Sequence, residues 1–473
     1  MELTKKEFSG YEGHMKLSKA SANFLAFVEK NPWSLERSIY NNLLKLNFDA
    51  GALQPWPVFI DQRTKNDIKE AGIGVFNLIR SIPERLFGND VEKLSTYYNI
   101  PADIVKIYLE TWNHDYLKTL LGRGDFIFSP SGLKCIEYNV SGGLGGWQVA
   151  LLEPIYMQTP PISAFLKESR VNVRIKNLFE SLLEHLLRTA RETFTGSDDD
   201  NEMNIAIAIP GFDAVRHSFG HVTRSINQIY ETILSRSLQG HHLKGDVLFC
   251  DFDHLHIVGD CLFHRSKNKR VHVLVEMYHG EVPAEILDVF RLKNVLLYNG
   301  PITRMMSDKE NLALLSQHQE SDIFSPGERG VIRKYIPWTR EIAANETTYG
   351  TEKIKVEEFI LSNKNNLVIK PMGGKGGEWV FMGRHTHKAQ WNELIKIALR
   401  DGGWLVQEYI ESDSYLFQTG EKGYAGHHAV WGLFVFGSRY AGGFLRVLPE
   451  KDTQGVINTQ KGAEKTVILE VEE

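Results

Sequence analysis

The stretch RGDFIFSPSGLKCIEYN, residues 123 to 139, constrains this chain more than any other. Two alternating runs flank Pro130-Ser131-Gly132. Proline presets the first position of a turn, and glycine tolerates the left-handed conformation that closes a three-residue hairpin loop. That loop sets Ser129 opposite Leu133, Asp125 opposite Glu137 and Arg123 opposite Asn139. Strand side chains alternate, so these last four residues share one face, while Phe126, Phe128, Ile136 and Tyr138 share the other. The apolar face demands a core. The polar face demands a reason, because directly opposed carboxylates repel unless a cation lies between them.

Two readings of the polar face stand side by side. In one it is a solvated surface on which Arg123 pairs with Asp125. In the other, Asp125, Glu137 and Asn139 supply oxygen ligands suited to Mg²⁺, which usually also binds substrate phosphates. Arg123 would then hold a phosphoryl group. A shift of one residue in register would split the cluster across two faces.

At 473 residues the chain has room for about three domain-sized units. The 54 Lys and Arg against 59 Asp and Glu give a net charge of −5, with no basic arm, so nucleic acid is not an expected partner. The three cysteines show no zinc spacing and too few pairs for a disulfide framework. No apolar run is long enough to span a bilayer, and MELTKKEFSGYEGHMK lacks the apolar core of a signal peptide. The expectation is a soluble cytoplasmic protein with no membrane partner, and a homodimer is possible.

Periodicity divides the chain into four regions. Residues 1–120 read as helical, through SANFLAFVEK, SLERSIYNNLLKL, NDIKEAGIGVFNLIRSI and ADIVKIYLETW, with Pro32, Pro55, Pro57, Pro83 and Pro101 as breakers. Residues 121–200 hold the hairpin and a long helix, VNVRIKNLFESLLEHLLRTARETF, followed by an acidic link. Residues 201–300 alternate strands with helices, which predicts a small α/β domain with a largely parallel sheet. Residues 301–473 run from helices through a Gly-rich loop to a strand-rich tail. The fold class expected is a multidomain α+β or α/β chain.

In the last region VIKPMGGKGGEWVF places Lys370-Pro371 at the end of a strand and then Gly373, Gly374, Lys375, Gly376 and Gly377 before a second strand. Such a loop lets backbone N–H groups approach phosphates. It is neither a P-loop nor a dinucleotide fingerprint. Next, GWLVQEYI is an apolar strand ending in Gln407-Glu408-Tyr409-Ile410, a segment able to offer backbone groups to an adenine ring.

The order of these pieces resembles the circularly permuted ATP-grasp group typified by glutathionylspermidine synthetase, in its synthetase part only. The resemblance covers 120–139 and 295–463. It rests on the RxD and ExN elements (Arg123, Asp125, Glu137, Asn139), the lysine of MMSDKENLALL (Lys309), the KP pair and the QEY hinge. It implies an ATP-grasp fold in permuted order, with a helical N-terminal region and a small pre-ATP-grasp-like α/β domain. It further implies ATP and Mg²⁺ as cofactors, Asp125, Glu137 and Asn139 as metal ligands, and Arg123 facing the transferred γ-phosphoryl. Lys309, Lys370, the Gly-rich loop and Gln407 to Ile410 would bind the nucleotide. The activity implied is a ligase that joins a small-molecule carboxylate and an amine through an acyl phosphate. Alternatives are an ATP-dependent phosphotransferase and a silent nucleotide-binding protein of the same fold. VSGGLGGW, with Ser141 where the family has Asp, departs from the pattern, as does the Lys375-Gly376-Gly377-Glu378 run; nothing in 1–120 resembles the amidase domain of bifunctional relatives.

Arg446 in GFLRV is expected to grip the acceptor carboxylate as a second catalytic residue, and Asn458 to support phosphate or substrate. His427 and His428 are adjacent on a strand, point oppositely and so should not share a metal. CDFDHLH (Asp251, Asp253, His254, His256) reads as a solvated strand or substrate-side loop.

Overall fold

The computed structural model describes residues 11–31, 53–194, 201–236, 243–343, 346–373, 379–419, 423–452 and 455–472. The expected helix SLERSIYNNLLKL and most of the acidic link lie outside the described residues. The fold is mixed α+β, with several sheets and helices around them. No helix among the described residues is long and apolar enough to cross a membrane.

The strands in chain order begin with β1 (Val58–Ile60), β2 (Leu121–Ser129), β3 (Gly132–Val140) and β4 (Val173–Arg174). The α/β region holds β5 (Ile205–Ala208), β6 (Val247–Cys250), β7 (Leu255–Val258), β8 (Cys261–His264), β9 (Lys269–Arg270), β10 (Val273–Glu276) and β11 (Leu296–Tyr298). Next come β12 (Thr339–Glu341), β13 (Glu346–Tyr349), β14 (Glu352–Lys355), β15 (Leu367–Pro371), β16 (Phe381–Met382) and β17 (Trp404–Glu408). The tail supplies β18 (Tyr415–Thr419), β19 (Gly423–Phe436), β20 (Arg439–Pro449) and β21 (Glu464–Val471).

The largest sheet runs β1-β21-β20-β19-β2-β3, with β18 also on β19 and β4 on β21. The hairpin β2–β3 therefore closes one edge of a sheet whose other long strands come from the far end of the chain. Its apolar face sits on the helix Gln62–Phe87, where Phe76 stacks on Tyr138 at 5.0 Å and the Tyr138 hydroxyl donates to the Gly72 carbonyl (3.1 Å). That helix starts at Asp61, whose carboxylate accepts the Thr64 N–H at 2.8 Å. Pro83 does not end it: the helix continues to Phe87. One turn from the C-terminus, a missing N–H costs a single ladder bond and the helix absorbs it.

Strands β6-β5-β10-β11 form a parallel sheet, as the alternation of strands and helices predicts. The antiparallel β7-β8-β9 meander is inserted beside it. The helix expected from residue 171 begins instead at Leu178, where the Asn177 side chain accepts from the Glu180 N–H. The preceding Val173 and Arg174 pair with β21.

One hydrophobic core runs from Leu17 to Leu469 and takes in the first three regions read from the sequence, so those regions do not each own a core. A second core is separate and comprises Trp338, Ile342, Val356, Ile360, Leu367, Ile369, Trp391, Ile395, Ala398 and Val406. It fills the space between the antiparallel sheet β12-β17-β15-β16 and the helices Val356–Ser362 and Lys388–Asp401. Alternation along β15 decides what faces where. Leu367 and Ile369 enter this core, and Val368 and Lys370 face the opposite way, toward the hairpin.

Candidate functional site

The hairpin reaches the expected pairing by an unexpected route. Ser129 pairs with Gly132, so the loop is Pro130-Ser131 alone, one residue shorter than the sequence suggests. Ser129 closes it, its hydroxyl donating to the Gly132 carbonyl at 2.8 Å, and Gly132 takes φ +96°. A bulge between Asp125 and Phe126 then admits Ile136 as an extra residue in β3 and restores Asp125 opposite Glu137 and Arg123 opposite Asn139. Ile136 consequently leaves the core face assigned to it and lines the site beside Ile127.

The polar face is dense with ion pairs. Asp125, 3% exposed, receives Arg123 in a fork (Nε to Oδ1 3.0 Å, Nη2 to Oδ2 3.1 Å). Arg446 Nη2 lies 2.8 Å from Oδ2, and Asn139 Nδ2 donates to the same oxygen at 3.4 Å. Burial raises the Asp125 pKa, but Arg123 and Arg446 outweigh it and hold the carboxyl below its usual value. Glu137 pairs with Lys309 at 3.3 Å. The repulsion between opposed carboxylates is thus relieved by three side-chain cations. The Arg123–Asp125 pairing of the plainer reading is present, although in a buried setting.

Lys370 crosses from the second unit into this cluster. Its Nζ donates to the Ile136 carbonyl, which the bulge turns outward, at 2.8 Å and to Gln407 Oε1 at 3.0 Å. Gln407 is fixed in turn by donating to Thr339 Oγ1 (3.0 Å). Burial pushes the Lys370 ammonium down to about 8, with Glu137 opposing and Lys309 adding to the effect. Four cations (Arg123, Lys309, Lys370, Arg446) face two carboxylates, so the cluster favours a polyanion.

Two cavities meet here. A slot of about 120 Å³ has apolar walls from Ile127, Ile136, Val368, Met382, Val430 and Ile457, and Gln407, Glu408, Tyr409 and Ile410 form its edge. A wider cleft of about 650 Å³ contains Arg123, Asn139, Ser141, Gly373 and the far wall described below. Asp125, Glu137, Lys309, Arg446 and Asn458 line both. Along the slot's edge, the Glu408 N–H donates to the Trp338 carbonyl and the Tyr409 N–H to the Asn366 carbonyl, so those two amides serve the fold. The Arg384 guanidinium lies 3.8 Å from the Tyr409 ring centroid and fixes it. Gly374, Lys375, Gly376 and Gly377 lie outside the described residues.

Several residues of the cleft carried no signal in the sequence. Ser307 accepts the Val140 N–H at 2.7 Å and donates to its carbonyl at 2.8 Å, which ties the Lys309 segment to the end of β3. Tyr98, Asn99, Ile100, His279, Glu281, Thr303 and Arg304 form the far wall. Gly142 is explained by space: a Cβ there would stand 2.3 Å from the Glu276 carbonyl oxygen and 2.5 Å from that of Tyr298. The loop after β3 thus lies flat on the ends of β10 and β11.

Other residues singled out from the sequence serve the fold. Asp251 accepts the Gly211 and Phe252 N–H groups and the Tyr278 hydroxyl, and His254 Nε2 lies 3.3 Å from Asp213. His427 is buried against Phe417, whereas His428 lies 3.9 Å from Glu450, so the pair diverges.

For a hard divalent cation the oxygen donors would be Glu137, the Asn139 carbonyl and the Oδ1 atom of Asp125, which takes a single hydrogen bond from Arg123. Asp125 Oδ2 already receives three donors. The set fits Mg²⁺ that takes most of its ligands from water and phosphate, with Glu137 as the accessible carboxylate. No cluster of three or more His, Cys, Asp and Glu able to hold a metal occurs among the described residues. Neither family models nor curated proteins match the chain.

Proposed function

We propose that this protein is an ATP- and Mg²⁺-dependent ligase that joins a small carboxylate to an amine, on an ATP-grasp fold in circularly permuted order. One observation carries the reading. Residues from five separated segments (Asp125 and Glu137, Lys309, Lys370, Gln407 to Ile410, and Arg446 to Asn458) converge on an apolar slot that opens directly into a cationic cleft. A purine ring fits the slot's chemistry, and phosphates fit the cluster at its mouth.

In this reading Lys309 and Lys370 neutralise the phosphates. Glu137, Asn139 and Asp125 would hold the metal, which supplies charge stabilisation on the phosphate oxygens. Arg123 and Arg446 bind the oxygens that gain charge as the γ-phosphoryl passes to the substrate carboxylate, breaking its bond to ADP and forming an acyl phosphate. The amine attacks that carbonyl, loses a proton and expels inorganic phosphate, which leaves the amide. Beside its place among the metal ligands, Asp125 keeps both guanidinium groups on one side of the cleft.

Calorimetric titration of Mg-ATP into wild type, Asp125→Asn and Glu137→Gln tests the site. The expected result is binding by wild type with a metal dependence that both variants lose. Release of phosphate that requires both a carboxylate and an amine then separates ligation from simple phosphotransfer. A wild type that ignores ATP would sink the proposal.

A further inference from the structure

The cleft does not end at its far wall. A groove of about 530 Å³ continues from it, lined by Ile100, Pro101, Ile104, Val282, Pro283 and Leu287. Ile100, Glu281 and Arg304 belong to both spaces and form the neck between them. Arg304 and Glu281 make no ion pair with each other or with any other described residue. An opposite-charge pair that lines one opening without closing it leaves a gap that a ligand carrying both charges spans. Arg304 stands on the short helix Thr303–Met306, and the same segment continues through Ser307 to Lys309 in the charged cluster. A head group at the neck is therefore one short segment from the proposed phosphates.

We propose that the second substrate is zwitterionic and apolar: a free apolar amino acid or a short apolar peptide. Its carboxylate lies on Arg304, its ammonium on Glu281, and its side chains lie along Ile104, Val282, Pro283 and Leu287. The proposal rests on the ligase reading for its role in catalysis, but the groove and neck stand without it. The volume lies within the range of small-molecule sites, and mostly apolar walls with a few charged groups are what such sites use for orientation.

The test is calorimetry on the full chain with leucyl-leucine, glycyl-glycine, octanoate and octylamine, each titrated with and without a saturating Mg-bound non-hydrolysable ATP analogue. Leucyl-leucine is expected to bind about tenfold more tightly than glycyl-glycine, a ratio in the range that added methylenes give in an apolar pocket. Leu287→Asp should erase that advantage while leaving nucleotide affinity unchanged, whereas Arg304→Gln should weaken both peptides by a similar factor, because each carries the carboxylate that Arg304 holds. Arg304 is exposed, so its variant probes the neck without disturbing the core. Equal binding of the two peptides, unchanged leucyl-leucine binding in both variants, or no peptide binding overturns the proposal. Octanoate or octylamine binding as tightly as leucyl-leucine also overturns it, because one charge would then suffice. The nucleotide titration reports separately on the ATP site, so failure of that reading is not mistaken for failure of this one.

Discussion

Replacing Asp125 by Asn leaves Arg123 and Arg446 facing each other without the carboxylate that now separates them. The two guanidinium side chains are 11% and 13% exposed, so water does little to screen them. Removing one partner of a buried ion pair costs about 3–5 kcal/mol, and because Asn keeps one acceptor oxygen the lower end applies, about 3 kcal/mol. Unfolding entropy of about 2.1 cal/mol/K per residue gives roughly 1 kcal/mol/K for the whole chain, so melting as one unit should shift Tm down by about 3 °C. The pH dependence carries a definite sign. The folded Asp125 pKa lies below its unfolded value, so its contribution is fully present above about pH 4 and is lost as pH falls through the folded value. Scanning calorimetry between pH 3 and 7 should therefore show the gap between wild type and variant closing on the acid side. Inorganic phosphate, an anion that can take the carboxylate's place, should restore part of the lost Tm at pH 7. A variant that melts within about 0.5 °C of wild type at neutral pH would refute the reasoning, because that is the range of an inert surface change.

Three further outcomes are expected. Lys370 is held down to about 8 by burial, so under the proposed function Mg-ATP affinity falls as pH rises past 8, and binding near that pH takes up protons, which calorimetry in buffers of different ionisation enthalpy detects. Glu310, raised from 4.5 to about 7 by burial, with Asp308 and Glu341 adding and the Tyr97 hydroxyl opposing, keeps its proton in the folded state longer than in the unfolded one; stability should fall as pH rises from about 4.5 to 7 and level off above, and Glu310→Gln should remove that slope in thermal melts. Gly142→Ala places a methyl against two backbone carbonyls, so a loss of about 1–3 kcal/mol in denaturant melts is expected, along with loosened binding in the cleft.

Local patterns made the hairpin, the parallel sheet and the strands β15 and β17 legible, because period-two alternation and turn residues act within a few positions. The hairpin register shows the limit of such reading. The loop is one residue shorter than Pro130-Ser131-Gly132 suggests and the bulge at Ile136 adds one back, so the Asp125–Glu137 pairing follows from two departures that cancel. That bulge also supplies the carbonyl that receives Lys370 from 234 residues away, and no local rule points to it. Arg446 is expected from the sequence at an acceptor carboxylate; its contact with Asp125 is not legible there and follows from the order β20-β19-β2 in the sheet. β1 is three residues long, too short for periodicity; β7 starts inside CDFDHLH, for which a strand is one of two readings, and β8 just beyond it has no reading. Ile100, Glu281 and Arg304 meet only because three separate segments pack together, and none of them carries a motif.

The large sheet also dictates a timetable. β2 and β3 leave the ribosome some 300 residues before β19, the strand that must lie against β2, and β1 waits longer still for the β21 backbone at Ile468 to Glu470. Until then the long edge of β2 has unpaired amides, and Phe126, fully buried in the finished molecule, has no neighbour in Trp431. An open edge beside apolar side chains is what nascent-chain chaperones hold and what aggregates when they are short. Synthesis rate through the middle third of this chain should therefore govern how much of it reaches the folded state.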